Sequence, residues 1–422
     1  MPELSRRRFL QTGLIGTAGL GLYSANLLAA SALSSPSTTT QSALSSLEQA
    51  KTAEAIDQAE AIEQTAEAPG LQLSSSVKTD AAGHQLLKFS SNLERKAEQS
   101  TALIPSGWRG HQVANSPDGR YLVSVARRPG TQLLIQDLHS STEQTAHFFI
   151  DADEERHFYG HGIFSADGQY LYCPENDYEN AQGKIGVYDA HQGFKKVAEW
   201  DSQGVGPHQI AWVHLSASSD QAAQTLMVVA NGGIETHPDY PRIKLNLDSM
   251  QPNISYLDLK GNLVQQVKPT HHQLSLRHLD VAPDGQVWVG AQYQGEVHES
   301  PNLIYSHHLG EDQLSPVVAN QALWPQLKAY IASVSCHSQS DTVCITAPRD
   351  NLVTLWQRST GLLLGQIKQA DCAGVCAHPS LPYYFVSGGD GTLSAYHAET
   401  GDRLWQQHFS GIRWDNHLSW IS

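Results

Sequence analysis

The chain has 422 residues, 40% hydrophobic and only 16% charged, with 33 glycines, so it can build a large core and is neither a disordered tail protein nor a charge-laced coiled coil. Acidic residues exceed basic ones by 42 to 27, and the net charge of −15 repels a phosphate backbone, which argues against nucleic acid as a partner. The 21 histidines outnumber the nine tryptophans and nine phenylalanines together, while cysteine is scarce at five, so histidine is the residue to explain.

The chain opens Ser5-Arg6-Arg7-Arg8-Phe9-Leu10, runs through a mildly apolar stretch from Leu14 to Leu28, and reaches small residues at Ala30-Ser31-Ala32. Residues 1–30 read as a twin-arginine export signal that is removed, which places the mature protein in the periplasm. The apolar stretch is about fifteen residues long and broken by Gly16, Gly19 and Gly21. That is too short to span a bilayer of about 30 Å, so no stable membrane span is expected once the signal is gone. The twin-arginine route carries proteins that fold before crossing, because a cofactor is inserted first or because the fold forms quickly. Residues 31–69 are Ser, Thr, Ala, Gln and Glu with hardly an aromatic, and this composition predicts a low-complexity linker.

From Gly70 the texture changes to short β-branched or aromatic runs separated by Gly, Asp, Asn and Pro, which predicts an all-β domain over residues 70–422. The domain is internally repeated. One unit reads Gly110-His111-Gln112-Val113, then Ser116-Pro117-Asp118-Gly119, Tyr121-Leu122-Val123 and Leu133-Leu134-Ile135. Its grammar returns at Gly160-His161, at Pro207-His208-Gln209, at Arg277-His278-Leu279, and in worn form at Ala332 to Trp356 and Ala373 to Tyr396. A last fragment, Asn416-His417-Leu418-Ser419-Trp420, repeats only the opening of a unit. Starts fall about 40 to 54 residues apart, except for one gap of 70 between His208 and His278. Four short strands need about that length, so the spacing predicts a seven-bladed β-propeller with YVTN- or WD-like repeats. The strands expected at Leu71 to Thr79, His84 to Ser90 and about Gln99 to Ile104 have no inner strand of their own. The C-terminal strand is therefore expected to complete their blade and close the ring.

Residues that enter the innermost strands converge on the central channel, and His111, His161, His208 and His278 occupy such starts. His161 and His278 lie six residues before their turn aspartates and His111 seven, an odd offset that points it to the other face unless a bulge intervenes. Such histidines either brace strand ends, as in other propeller repeats, or face a substrate, or hold a transition metal such as iron or copper, whose usual nitrogen ligand is neutral imidazole. His161, His208 and His278 are the candidate metal ligands.

The long gap holds a polar insertion, Asn231-Gly232-Gly233-Ile234-Glu235-Thr236-His237-Pro238-Asp239-Tyr240-Pro241-Arg242, which reads as a binding loop or lid rather than a solvated excursion. Glu175 and Asn176, ending a strand one blade earlier, and Arg277 and Arg349 are expected at the same mouth. Together Glu175, Asn176, Asn231, Glu235, His237, Asp239, Arg242, Arg277 and Arg349 form a candidate site for a small anionic or metal-chelated ligand.

No His-Glu-x-x-His zinc motif, nucleophile elbow or phosphate-binding glycine loop is present, and no catalytic residue is assigned. In an oxidising compartment five cysteines permit two bridges and leave one over. Cys336 and Cys344 flank the turn Ser338 to Asp341 and could face each other across a hairpin. Cys372 and Cys376 would stand about 13 Å apart in a straight strand and could not bridge.

These stretches, above all Gly160-His161-Gly162, Glu175-Asn176-Asp177, Gly206-Pro207-His208, Asn231 to Asp239, Lys244-Leu245-Asn246 and Leu274 to His278, resemble a bacterial family of twin-arginine-exported propellers catalogued as a domain of unknown function. The resemblance covers roughly Gly70 to Ser422. It implies a periplasmic seven-bladed fold and a link to iron uptake, since members tend to be encoded beside imelysin-type proteins, which makes such proteins the expected partners. It implies no established reaction. The worn unit at Cys372 and the long linker depart from the family pattern. The expectation is a non-catalytic binding propeller. The alternative, from the resemblance of the repeats to those of lactonase propellers, is a lactonase-like hydrolase or a metal-dependent oxidoreductase using the same mouth.

Overall fold

The computed structural model describes residues 71–91, 99–142, 146–217, 222–240 and 243–421; the segments expected to be an export signal and a linker, and Arg242, lie outside them. The described chain forms seven antiparallel sheets arranged as the blades of a β-propeller. Blade 1 holds Leu71–Thr79, Gly83–Ser91 and Ser100–Pro105, and blades 2 to 7 begin at Gly110, Arg156, Pro207, Leu274, Ser333 and Cys372. Among the described residues no helix is long and apolar enough to cross a membrane.

The sequence texture explains the layering. Second strands such as Val287–Tyr293 and Thr342–Ala347 are buried along their whole length, packed between neighbouring blades, so they read as unbroken apolar runs. Outer strands such as Leu363–Lys368 alternate half-buried and exposed residues. The repeated turns are built from the sequence grammar itself. Asp118 Oδ1 accepts the Ser116 hydroxyl and the Arg120 N–H, the Ser116 hydroxyl accepts the Tyr121 N–H, and Gly119 takes φ +68°. Ser165, Asp167, Gly168 and Tyr170 repeat the arrangement one blade on.

The ring closes as the terminal fragment predicts. Ile412–Trp414 and Ser419–Trp420 both pair antiparallel with Leu71–Thr79, with Trp414 opposite Val77 and Trp420 opposite Leu73. The Ile421 N–H donates to the Gln72 carbonyl at 3.0 Å. Burial of Trp414, Leu418 and Ile421 at this seam contributes about 1.5–3 kcal/mol for each side chain.

Antiparallel pairing fixes which loops share a mouth. The starts of inner strands, the loops from second to third strand and the crossovers between blades lie at one end, the proximal mouth. The Asp-Gly turns lie at the distal end. The inner strands break at the mouth-facing positions: register shifts fall between Gly110 and Val113, Pro207 and Ile210, and Leu276 and His278. In blades 1 and 3 the inner strand is split in two around residues 415–418 and 159–162. These breaks resolve the odd offset of His111, because a bulge turns it to the same side as the others.

All five cysteines are free and buried. Cys336 lies opposite Val343 and Cys344 opposite Ser335, so the two side chains leave opposite faces of their hairpin and the expected facing pair does not form. Burial pushes their thiols up.

Candidate metal centre in the central channel

Five imidazoles meet on the axis, from His111, His161, His208, His278 and His417, one from each of blades 1 to 5. The His111 ring lies 4.9, 5.4, 6.1 and 4.5 Å from those of His161, His208, His278 and His417 in turn. His161 and His278 are wholly buried, and none of the five is more than 8% exposed. One required glycine sets the spacing: Gly160 takes φ +101°, and a Cβ there would come within 2.7 Å of the His111 side chain.

Burial is the first cause that pushes all five imidazoles below their ordinary value, and His417 falls to about 3 although Asp415 opposes the shift. The rings are therefore neutral, the form that binds metals.

Hydrogen bonds assign the tautomers of two of them. His161 Nδ1 faces Gln112 Oε1 at 2.9 Å, and that oxygen also accepts the Gly162 N–H, so Nδ1 is the donor and Nε2 carries the lone pair. Nε2 of His161 is buried and has no partner. The Ser333 hydroxyl donates to the Asn416 carbonyl at 2.9 Å and so accepts from His417 Nδ1 at 2.8 Å, which again leaves Nε2 as the lone pair. That Nε2 lies 3.2 Å from Nε2 of His111, which must carry the proton between them. Nδ1 of His111 lies 3.7 Å from Asp415 Oδ1. A cation taken up here would send the His111 proton round to Nδ1, facing the carboxylate, the arrangement that orients histidine ligands and raises their basicity.

Two sets of three, His111/His161/His417 and His111/His208/His278, each place their ligand nitrogens within 4.8 Å of one another. Tetrahedral ligation at zinc-like bond lengths needs about 3.4 Å between nitrogens, so the rings have about an ångström to close.

His208 and His278 are set differently. Both nitrogens of His278 and Nδ1 of His208 are buried without a partner. They line a proximal cavity of about 80 Å³ together with Arg127, Arg128, Tyr159 and Arg277. On the distal side a cavity of about 400 Å³ is lined by Gln112, Gln209, Ser335 and His417 among others.

The remaining sequence candidates are scattered. Of them Arg277 lines the proximal cavity, and Arg349 stands behind it, stacked 4.3 Å over the ring of Tyr330, another lining residue. Glu175 is wholly buried inside blade 3, where it accepts from the Tyr188 hydroxyl at 2.6 Å and Lys196 Nζ at 2.8 Å. Asn176 Nδ2 donates to His157 Nε2 at 2.9 Å and to the Thr236 carbonyl at 3.0 Å, and so ties the insertion to blade 3. Asn231 is bonded to Ser202 in the crossover from blade 3 and to Asn253 within blade 4. Glu235 contributes its backbone N–H to Asn246 Oδ1. His237 Nε2 faces Glu179 at 3.2 Å and its ring packs on Tyr178, so it stands apart from the five; Asp239 is exposed beside it.

The sequence candidates omit His417, Arg127, Arg128, Tyr159 and Asp415. The signal for His417 was present, since Asn416-His417-Leu418 repeats the opening of a blade.

Fold and channel together define a seven-bladed propeller with a histidine layer across its axis. Residues 104–421 match the family described as "Protein of unknown function (DUF1513)", and the chain belongs to that family. A search of curated proteins returned no match.

Proposed function

We propose that this propeller is a periplasmic binding protein that holds one transition-metal ion, iron or copper, on the histidine layer and serves an iron-uptake system with an imelysin-type partner. The observation that carries the metal reading is the pair of lone-pair nitrogens, Nε2 of His161 and of His417, held toward His111 by Gln112 and Ser333, with Asp415 behind His111. A bracing histidine of this protein such as His157 uses both ring nitrogens, whereas His161 leaves Nε2 and His278 leaves both nitrogens without a partner. An all-imidazole set suits copper, iron, zinc and nickel, with copper the tightest of the divalent ions. Export as a folded protein by the twin-arginine route agrees with a buried ion loaded before export. It agrees too with a ring that closes only when the last residues pair with the first sheet.

Metal analysis of protein folded and exported in vivo tests the proposal, alongside the His161→Ala and His417→Ala variants. The expected result is one equivalent of iron or copper in the wild type and loss of most of it in each variant. Metal-free protein that also fails to bind added iron or copper would overturn it. Among the described residues no carboxylate makes an ion pair with His208 or His278, so those two rings give the alternative of a lactonase-like hydrolase no added support.

A further inference from the structure

The proximal cavity beside the histidine layer carries positive charge that the protein compensates only in part. Arg127, Arg128 and Arg277 line it, and no carboxylate does. The nearest acid, Asp415, pairs with Arg109 at 2.5 Å and lies 3.8 Å from Arg127. Among the described residues neither Arg128 nor Arg277 has an ion pair, in a chain whose net charge is −15.

The cavity also gathers polar atoms that lack partners. Nε of Arg277, Nδ1 of His208 and both nitrogens of His278 make no hydrogen bond, and the Tyr159 hydroxyl stands beside that of Thr236. His278 is wholly buried, His208 8% and Tyr159 3% exposed, so bulk water does not satisfy these groups. Unpaired buried donors are costly, and several aimed into one space mark a missing ligand. The lining is rich in donors: guanidiniums, a hydroxyl and imidazole N–H groups. It complements oxygen lone pairs, and a guanidinium fork matches two oxygens of one planar or tetrahedral anion. About 80 Å³ is room for one small oxyanion.

We propose that this cavity binds one small oxyanion of the carbonate, phosphate or carboxylate class, held by Arg128, Arg277 and Tyr159 against His208 and His278. The inference goes beyond the metal reading and deepens it. A cation on the imidazoles adds positive charge beside three guanidiniums, and an anion between them relieves the repulsion, so each ligand raises the affinity for the other. The anion is either a free inorganic ion or the carboxylate of a small chelator that carries the metal.

Isothermal titration of metal-free full-length protein with bicarbonate, inorganic phosphate and formate tests the site without requiring the metal. The wild type is expected to bind one equivalent of at least one probe. Arg277→Gln and Arg128→Gln are each expected to weaken it about tenfold or more, and Tyr159→Phe by less. Binding of bicarbonate or phosphate identifies an inorganic ion, and preference for formate identifies the carboxylate of a chelator. A wild-type protein that shows no saturable binding of any probe at millimolar concentration overturns the proposal, whatever the variants do. Equal affinity in a folded Arg277→Gln variant overturns it too. Anion binding that survives in a protein unable to take up iron or copper would overturn the metal reading and leave this one standing.

Discussion

Blades 1 to 5 each lay an imidazole on the axis at a break in the inner strand, and blades 6 and 7 lay none. Blade 6 keeps its inner strand in register from Ser333 to Cys336, and its first residue braces His417. Blade 7 does break, between Cys372 and Gly374, but the residue in the break is Ala373. Gly374 is needed there because a Cβ would come within 3.0 Å of the Leu418 nitrogen and 3.1 Å of the His417 carbonyl carbon. The two blades without an axial histidine thus supply room and a hydrogen bond for a ligand that blade 1 contributes. The interiors differ in the same sense. Blade 3 buries Glu175 against Lys196, which also pairs with Glu199 at 2.7 Å, whereas blades 6 and 7 hold four of the five thiols and a series of buried hydroxyls. Related repeats have become a donor arc and a support arc; the donor arc pairs a wholly buried carboxylate with a lysine, whereas the ion pairs of blade 6 lie at the surface.

The largest expected effect is in the donor arc. Lys196→Met leaves the Glu175 carboxylate buried with only the Tyr188 hydroxyl, and should cost about 3–5 kcal/mol of unfolding free energy by denaturant titration. Burial already raises the Glu175 pKa against the pull of Lys196, so the deficit should shrink as pH falls and the carboxyl takes a proton. The matching change in the support arc, Thr354→Val in blade 6, removes a hydroxyl that accepts the Trp356 N–H at 2.9 Å and should cost about 1–3 kcal/mol with no such pH dependence. Equal losses with equal pH profiles would erase the distinction between the arcs.

Acid presses on the donor arc from another side. His157 in blade 3 donates from Nδ1 to the Phe158 carbonyl and accepts from Asn176 at Nε2, and burial lowers its pKa to about 4. The unfolded imidazole titrates near 6.5, so the unfolded chain binds the extra proton between the two values. The stabilising contribution is complete above pH 6.5 and is lost as pH falls toward 4, by about 3 kcal/mol for this one group. Burial shifts His337 and His378 of the support arc in the same direction, so the difference between wild type and His157→Gln isolates the blade 3 share. A variant whose stability falls as steeply as the wild type between pH 6.5 and 4 would remove His157 from the account.

Much of this was legible in the residues. The repeated Asp-Gly turns and the orphan fragment at Trp420 specify seven blades and their closure, and the blade openings place His161, His208 and His278 on the axis. The side to which His111 turns was not legible, because it depends on a bulge, and a bulge leaves no mark in a six- or seven-residue spacing. Glu175 opens a polar run at the end of a strand, as a mouth residue would, yet the pleat turns its side chain toward Tyr188 and Lys196 within the blade. Arg127 and Arg128 follow an ordinary apolar strand, and only the loop geometry aims them at the histidines. Cys336 and Cys344 failed to face each other by a register offset of one residue, which a hairpin's length alone does not reveal.

The smallest effect tests whether a blade without an axial histidine takes part in the centre at all. Ser333→Ala keeps the blade 6 strand and all five imidazoles but removes the oxygen that receives His417 Nδ1–H. His417 is then free to carry its proton on either nitrogen, and the Nε2 lone pair is no longer fixed toward His111. Loss of a partner of this kind behind a histidine ligand costs about 10- to 100-fold in metal affinity. Competition titration with a copper chelator at constant pH should show a drop in that range, and His417→Ala a larger one. Ser333→Thr, which retains the hydroxyl, should restore most of the affinity. If Ser333→Ala binds copper as tightly as the wild type while His417→Ala does not, then blade 6 gives the centre only space, and the tautomer of His417 is set by the metal rather than by the protein.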